Sequence, residues 1–249
     1  MTRGCFVTGT GTGVGKTVVA AALAICLRQR GLNVGVMKPV ETGVRERGST
    51  LSDAEYLRAA GGAVDPVDAI SPYRLAAPLA PLAAARQAGT VIEMDRILTA
   101  YERLAAGHTL MVVEGIGGVL VPIGHHFNVR DLIARLGLPT VVVGRATLGG
   151  VNHALLTVEA LRQRRIAILG IVLNHAAIAS EPSWKRPDAI DTRQGDSTVE
   201  LVKELSGVPV LGPLRHEPML AQARDAGLGK VAAEDAVRTL ADLIMKGVP

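Results

Sequence analysis

Apolar positions along the chain fall into two alternating kinds of segment. Short runs rich in Val, Ile and Leu, at residues 5–8, 33–38, 110–114, 140–143, 166–173 and 208–211, predict strands covered on both faces. Longer stretches with apolar residues at helical spacing lie between them, at 17–30, 52–60, 81–88, 93–106, 129–136, 149–164 and 198–206. Ser52-Asp53-Ala54-Glu55 and Asp196-Ser197-Thr198 resemble helix starts. Strand followed by helix, repeated, predicts a doubly wound, mostly parallel α/β sheet flanked by helices. Residues 41–50 and 179–196 read as loops, and no linker, repeat or low-complexity tract divides the chain, so residues 1–249 read as a single domain.

In such sheets ligands collect at the carboxyl ends of the strands. Here the first apolar run enters Gly9-Thr10-Gly11-Thr12-Gly13-Val14-Gly15-Lys16-Thr17 and then a helix. Glycines let backbone N–H groups converge on phosphate oxygens, and the helix N-terminus and Lys16 add positive charge. Thr17 offers a hydroxyl to a magnesium ion. The spacing departs from the standard phosphate loop, with five residues between Gly9 and Gly15 where four are usual. A dinucleotide fingerprint does not fit, because counting G-x-G-x-x-G from Gly9 ends on Val14 and from Gly11 on Lys16. The second strand ends in Lys38-Pro39-Val40-Glu41-Thr42-Gly43 and the third in Glu114-Gly115-Ile116-Gly117-Gly118, so three polar sites face one edge. On position alone Lys38 is equally well a surface lysine. Glu114 ends a core strand, where a carboxylate in such a protein serves magnesium; its other reading is a cap or salt bridge. Asp53 is either a helix cap or a second carboxylate for the metal.

Composition narrows the field. Hydrophobic residues make up 48% and aromatics only 2%, so the core must be built from Ala, Val, Leu and Ile. The net charge of +4 is scattered and has no aromatic-interleaved patch, which leaves nucleic-acid binding unsupported. Cys5 and Cys26 read as small buried residues rather than a disulfide or metal pair. His125 and His126 lack a third ligand at metal spacing and read as solvated. No leader precedes the first strand and no run is long enough to span a membrane, so the expected location is the cytoplasm.

Taken together, the segments resemble the dethiobiotin synthetases. The resemblance rests on the phosphate loop, Lys38 to Gly43, Ser52-Asp53-Ala54, Ser71-Pro72-Tyr73-Arg74, Val113 to Gly118, Leu148-Gly149-Gly150-Val151-Asn152-His153-Ala154 and Gly207 to Gly212, in the family's order. It implies an ATP- and magnesium-dependent homodimer that joins 7,8-diaminononanoate and carbon dioxide into dethiobiotin, through a carbamate and its phosphoric anhydride. Carried over by position, Lys16, Lys38 and Thr12 act in catalysis. Gly13, Val14, Gly15, Lys16, Thr17, Glu114 and Gly117 hold the nucleotide, with Asn174 on the adenine. Thr17, Asp53 and Glu114 surround magnesium. Thr12, Lys38 and Thr42 contact the substrate, and the turn of Gly149, Gly150, Val151 and Asn152 receives its carboxylate across the dimer. Gly11 stands where many relatives carry aspartate.

The nearest rival is a switch ATPase of the kind that positions division machinery or partitions DNA. Such proteins carry a second lysine early in the phosphate loop, where this chain has Thr10 and Gly11, and often end in a membrane-binding helix, whereas residues 235–246 read as an ordinary domain helix. An amidating ligase would need a further glutamine-hydrolysing domain.

Overall fold

The computed structural model describes residues 3–44, 51–175, 189–215 and 217–247. In chain order the elements are β1 (Arg3–Gly9), α1 (Lys16–Gln29), β2 (Val34–Met37), β3 (Val40–Thr42), α2 (Asp53–Gly61), α3 (Val67–Ile70), β4 (Tyr73–Leu75), α4 (Pro81–Gln87), α5 (Met94–Ala106) and β5 (Leu110–Glu114). They continue with α6 (Val129–Leu136), β6 (Thr140–Arg145), α7 (Gly150–Arg162), β7 (Ile168–Asn174), α8 (Ala189–Ser206), β8 (Val210–Leu214), α9 (Met219–Gln222), α10 (Arg224–Ala232) and α11 (Asp235–Lys246).

Six strands form one sheet in the order β2-β5-β1-β6-β7-β8, and every pair in it is parallel. The helices divide into two layers. One core cluster joins α1, α2, α10 and α11 to one face, through residues such as Val7, Leu23, Leu57, Val231 and Leu240. The other joins α4 to α8 to the opposite face, through Phe6, Ile97, Leu132, Leu161 and Val202. Burial on both faces is why β2, β5 and most of β6 run apolar without alternation. The outer helices need only one apolar stripe: α5 buries Ile97, Tyr101, Leu104 and Ala105, and α11 buries Val237, Leu240, Ala241 and Ile244. By contrast α1 lies under α2, α10 and α11, and ten of its 14 residues are buried. Both cysteines are buried and free, and burial pushes the Cys5 thiol up to about 12.

Two expectations are corrected. Residues 41–50 are not all loop, since Val40–Thr42 pairs in parallel with Tyr73–Leu75 as a separate two-stranded sheet. Three-residue strands carry too little periodicity to show in a sequence. Helix α8 begins at Ala189, not near Thr198, and takes up the end of the 179–196 segment; residues 179–188 of that loop lie outside the described residues, as do 45–50 of the other. Asp196-Ser197-Thr198 therefore sits inside a helix, whose packing on α7 overrides the local preference of these residues for caps.

β1 and β5 are neighbours, yet the chain leaves β1 toward β2 on one side and leaves β5 toward β6 on the other. This reversal opens a crevice at their carboxyl ends, the position at which α/β sheets bind ligands.

Candidate functional site

The crevice is lined by the two loops the sequence singles out. Gly9 ends β1, and an isolated antiparallel bridge between Thr10 and Gly118 ties the phosphate loop to the loop after β5. Gly13 and Gly15 take left-handed conformations, φ 70° and 95°, that side chains rarely adopt. Gly15 caps α1 and has no side chain to compete for that helix's first N–H groups. Lys16 Nζ curls back to donate to Gly11 O at 2.8 Å. Burial, then the charge of Lys38, lowers the Lys16 pKa to about 8.

Beside this loop, Lys38 is only 2% exposed. Its ammonium donates to Glu114 Oε1 at 2.7 Å and Gly115 O at 3.0 Å, and pairs with Asp53 Oδ2 at 2.9 Å. All three hydrogens have partners, which is how a buried ammonium becomes tolerable. Burial alone would lower its pKa, but the two carboxylates outweigh that and hold it above the ordinary lysine value. The surface-lysine reading is thereby excluded. Glu114, 1% exposed, has its pKa raised, chiefly by burial. Asp53 is less enclosed, and despite burial the charge and hydrogen bond of Lys38 hold its pKa below the ordinary carboxylate value.

Thr17 Oγ1 lies 2.9 Å from Glu114 Oε1 and 3.2 Å from Asp53 Oδ1, so one hydroxyl and two carboxylates from three distant segments converge. Glu114 Oε2 is buried without a hydrogen-bond partner. An all-oxygen set with an orphaned carboxylate oxygen suits a hard divalent cation. No group of three or more His, Cys, Asp or Glu side chains arranged for a metal occurs among the described residues. Two carboxylates and a hydroxyl nonetheless match magnesium, which keeps several waters and takes its remaining ligands from phosphates.

Asp53 is not the cap of α2. Ser52 is, in a capping box with Glu55, which leaves the Asp53 side chain for the cluster. The Asp53 N–H donates to Glu41 Oε1, so a third, buried carboxylate holds the start of α2 in place. Glu41 has its pKa raised by burial, and Arg74 Nε approaches its other oxygen at 3.9 Å. Sequence reasoning passed over Glu41, although it lies in the Lys38–Gly43 block; alternation along the strand sets it on the face opposite Thr42, so no local pattern marked it.

Thr12 is exposed, and a Cβ at Gly117 would sit 3.7 Å from its hydroxyl, so the bridge brings these two positions together. Thr42 ends β3, half-buried. Asn174 ends β7, buried, with its amide donating to Val14 O at 3.4 Å. Gly149, at φ 84°, caps α7 with no side-chain hydrogen bond, followed by Gly150, half-buried Val151 and exposed Asn152. That turn shares the carboxyl edge, but none of the hydrogen bonds that knit the lysine–carboxylate cluster involves it. His125 and His126 are exposed. No helix among the described residues is long and apolar enough to cross a membrane.

Residues 3–224 match the family described as an AAA domain. Among solved structures, the fold is similar to a ParA family ATPase from Chlorobium tepidum TLS (TM-score 0.53, 17% identity, 98% of this chain and 99% of that one). It is also similar to Cyanthece apo McdA (TM-score 0.55, 13% identity, 99% of each chain). At these identities the likeness shows the architecture alone. Sequence is more specific. The chain is 52% identical over 181 residues to the ATP-dependent dethiobiotin synthetase BioD of Anaeromyxobacter dehalogenans strain 2CP-C, covering 73% of this chain and 80% of that protein. It is 38% identical over 244 residues to the protein of the same name from Thermodesulfovibrio yellowstonii, covering 94% and 96%. With similarity over 94% of the chain, and with Lys16, Thr17, Lys38, Asp53 and Glu114 gathered at one crevice, the chain belongs to the ATP-dependent dethiobiotin synthetase family.

Proposed function

We propose that this chain is an ATP-dependent cyclo-ligase that converts 7,8-diaminononanoate and carbon dioxide into dethiobiotin, ADP and phosphate, a step of biotin biosynthesis. The observation that carries the reading is Lys38, a buried ammonium held by Glu114 and Asp53 beside the phosphate loop of Lys16 and Thr17. A switch ATPase of the rival kind carries a second lysine early in the phosphate loop, where this chain has Thr10 and Gly11.

In this reaction an amine of the substrate adds to carbon dioxide and loses a proton to give a carbamate. A carbamate oxygen attacks the γ-phosphorus of ATP, and the bond to the bridging oxygen breaks to release ADP. The second amine then attacks the carbamate carbon, and phosphate leaves as the ring closes. Each step gathers negative charge, so catalysis is positioning and charge stabilisation rather than protein nucleophilicity. Lys16 holds the phosphates, and Lys38 holds the carbamate and the phosphoryl group in transfer. Thr12 and Thr42 orient the substrate. Backbone N–H groups of Gly13, Val14 and Gly15 cradle the phosphates, Gly117 lets the loop after β5 come close, and Asn174 contacts the adenine. Thr17, Asp53 and Glu114 would hold magnesium, whose charge neutralises the phosphates. The turn at Gly149, Gly150, Val151 and Asn152 binds the substrate carboxylate at a helix N-terminus, from the second subunit of a cytoplasmic homodimer.

The test is phosphate release from ATP with and without diaminononanoate and bicarbonate. Release should depend on both additions and match dethiobiotin formed by mass spectrometry. Hydrolysis indifferent to both would remove the synthetase reading.

A further inference from the structure

The carboxyl end of β6 carries a charged side chain to which the strand-end reading gave no role. Arg145 is the last residue of β6 and stands in register with Asn174, the last of β7. Both reach backbone carbonyls of the phosphate loop. Arg145 Nη2 donates to Gly13 O at 3.2 Å, as Asn174 Nδ2 donates to Val14 O. With Lys16 on Gly11 O, three carbonyls of the loop are turned to side-chain donors.

A trans peptide unit is planar, and its C=O and N–H point in opposite directions. Holding Gly13 O on the guanidinium therefore aims the Val14 N–H away from Arg145, and holding Val14 O on the amide aims the Gly15 N–H away from Asn174. The guanidinium has room because residue 13 is glycine: a Cβ there would lie 3.3 Å from Arg145 Nη2, on a backbone already at φ 70°. Arg145 Nε is buried with no hydrogen-bond partner, so the group keeps donor capacity beyond the bond to Gly13.

We propose that Arg145 is a positioning residue for the nucleotide, fixing the Gly13–Val14 peptide plane so that the loop's N–H groups are aimed before phosphate arrives. The idea rests on the nucleotide reading above. Preorganisation of this kind acts on binding and leaves the chemical step alone. Loss of one charge-assisted hydrogen bond predicts that Arg145→Ala weakens ADP binding about tenfold.

The experiment titrates a fluorescent N-methylanthraniloyl ADP with the wild type, Arg145→Ala, Arg145→Lys and Arg145→Gln, alongside steady-state kinetics. Arg145→Ala should raise the dissociation constant and the KM for ATP together, with kcat and the KM for the diamine within about threefold of wild type. Arg145→Lys should recover part of the loss and Arg145→Gln less, and these two decide the matter should the alanine variant not fold. Affinity within about twofold of wild type in all three variants, or a loss confined to kcat, would overturn the proposal. ADP binding by a wild type that shows no diamine-dependent turnover would defeat the proposed reaction and leave this inference standing; diamine-dependent turnover with ADP affinity and the KM for ATP indifferent to Arg145 would do the reverse.

Discussion

Replacing Lys38 by Met removes an ammonium while keeping an unbranched side chain of similar reach, so lost volume contributes little. What remains is Glu114, 1% exposed, without the partner at 2.7 Å, and Asp53 without the partner at 2.9 Å. Breaking a buried ion pair by deleting one member costs about 3–5 kcal/mol, because the surviving charge stays desolvated. Asp53 adds little to that figure, since its side chain is 42% exposed and water screens it. For a chain of this size about 1 kcal/mol shifts the unfolding midpoint by ~2–4 °C, so the variant should melt ~6–20 °C below wild type. Magnesium should narrow that gap, since a divalent cation replaces the missing charge and binds only the folded state. Differential scanning fluorimetry with and without millimolar magnesium reads both effects, and kinetics should show kcat reduced by about a hundredfold or more with ADP affinity nearly unchanged. A midpoint within ~2 °C of wild type, or a magnesium shift equal in the two proteins, would mean that Lys38 does not balance these carboxylates.

Two other perturbations test the phosphate loop. Lys16 has a pKa lowered to about 8, against an ordinary 10.5, so above pH 8 it is neutral in the free protein, and bound phosphates restore its charge. Nucleotide binding should then take up a proton between pH 8 and 10.5, with affinity flat below pH 8 and falling above it by up to about tenfold per pH unit. Calorimetry at pH 9 in two buffers of different ionisation heat measures that uptake; heats independent of buffer would contradict it. Gly15→Ala places a Cβ on a backbone at φ 95° and into the Asn174 amide, whereas at Gly13, φ 70°, the added atom meets only the end of the Arg145 side chain at 3.3 Å. ADP affinity should therefore fall much further in Gly15→Ala than in Gly13→Ala, and equal losses would show that backbone conformation rather than space sets the penalty.

The strands were legible because a parallel sheet buried on both faces writes continuous apolar runs, and each run ends where a polar residue meets the crevice. Val7 to Gly9, Val113 to Glu114 and Met37 to Lys38 stand out for that reason. The same rule, applied to β6, marks Arg145, which follows Val141-Val142-Val143-Gly144. What no local pattern carries is pairing. Lys38, Asp53 and Glu114 come from segments far apart in sequence, and Asp53 is placed by Ser52 taking the cap and by Glu41 taking the backbone N–H. Read alone, Asp53 looks like a cap and Lys38 like a surface residue. Only the fold makes each the other's counterion.

That pairing has a consequence for the order of events. Two ammonium groups and two carboxylates meet at the crevice, so their charges cancel and can be buried without a ligand. A triphosphate with one divalent cation is strongly anionic, and the carbamate adds a further negative charge. Glu114 Oε1 faces both the ammonium and Thr17 Oγ1, and Asp53 turns Oδ2 to the ammonium and Oδ1 to Thr17, so a metal at Thr17 would share both carboxylates with Lys38. A cation held at Thr17, as proposed, would weaken the hold on Lys38 and leave its charge available to the incoming anion. On the proposed reaction, neutrality in the free protein and positive charge toward the carbamate would then come from one set of four side chains.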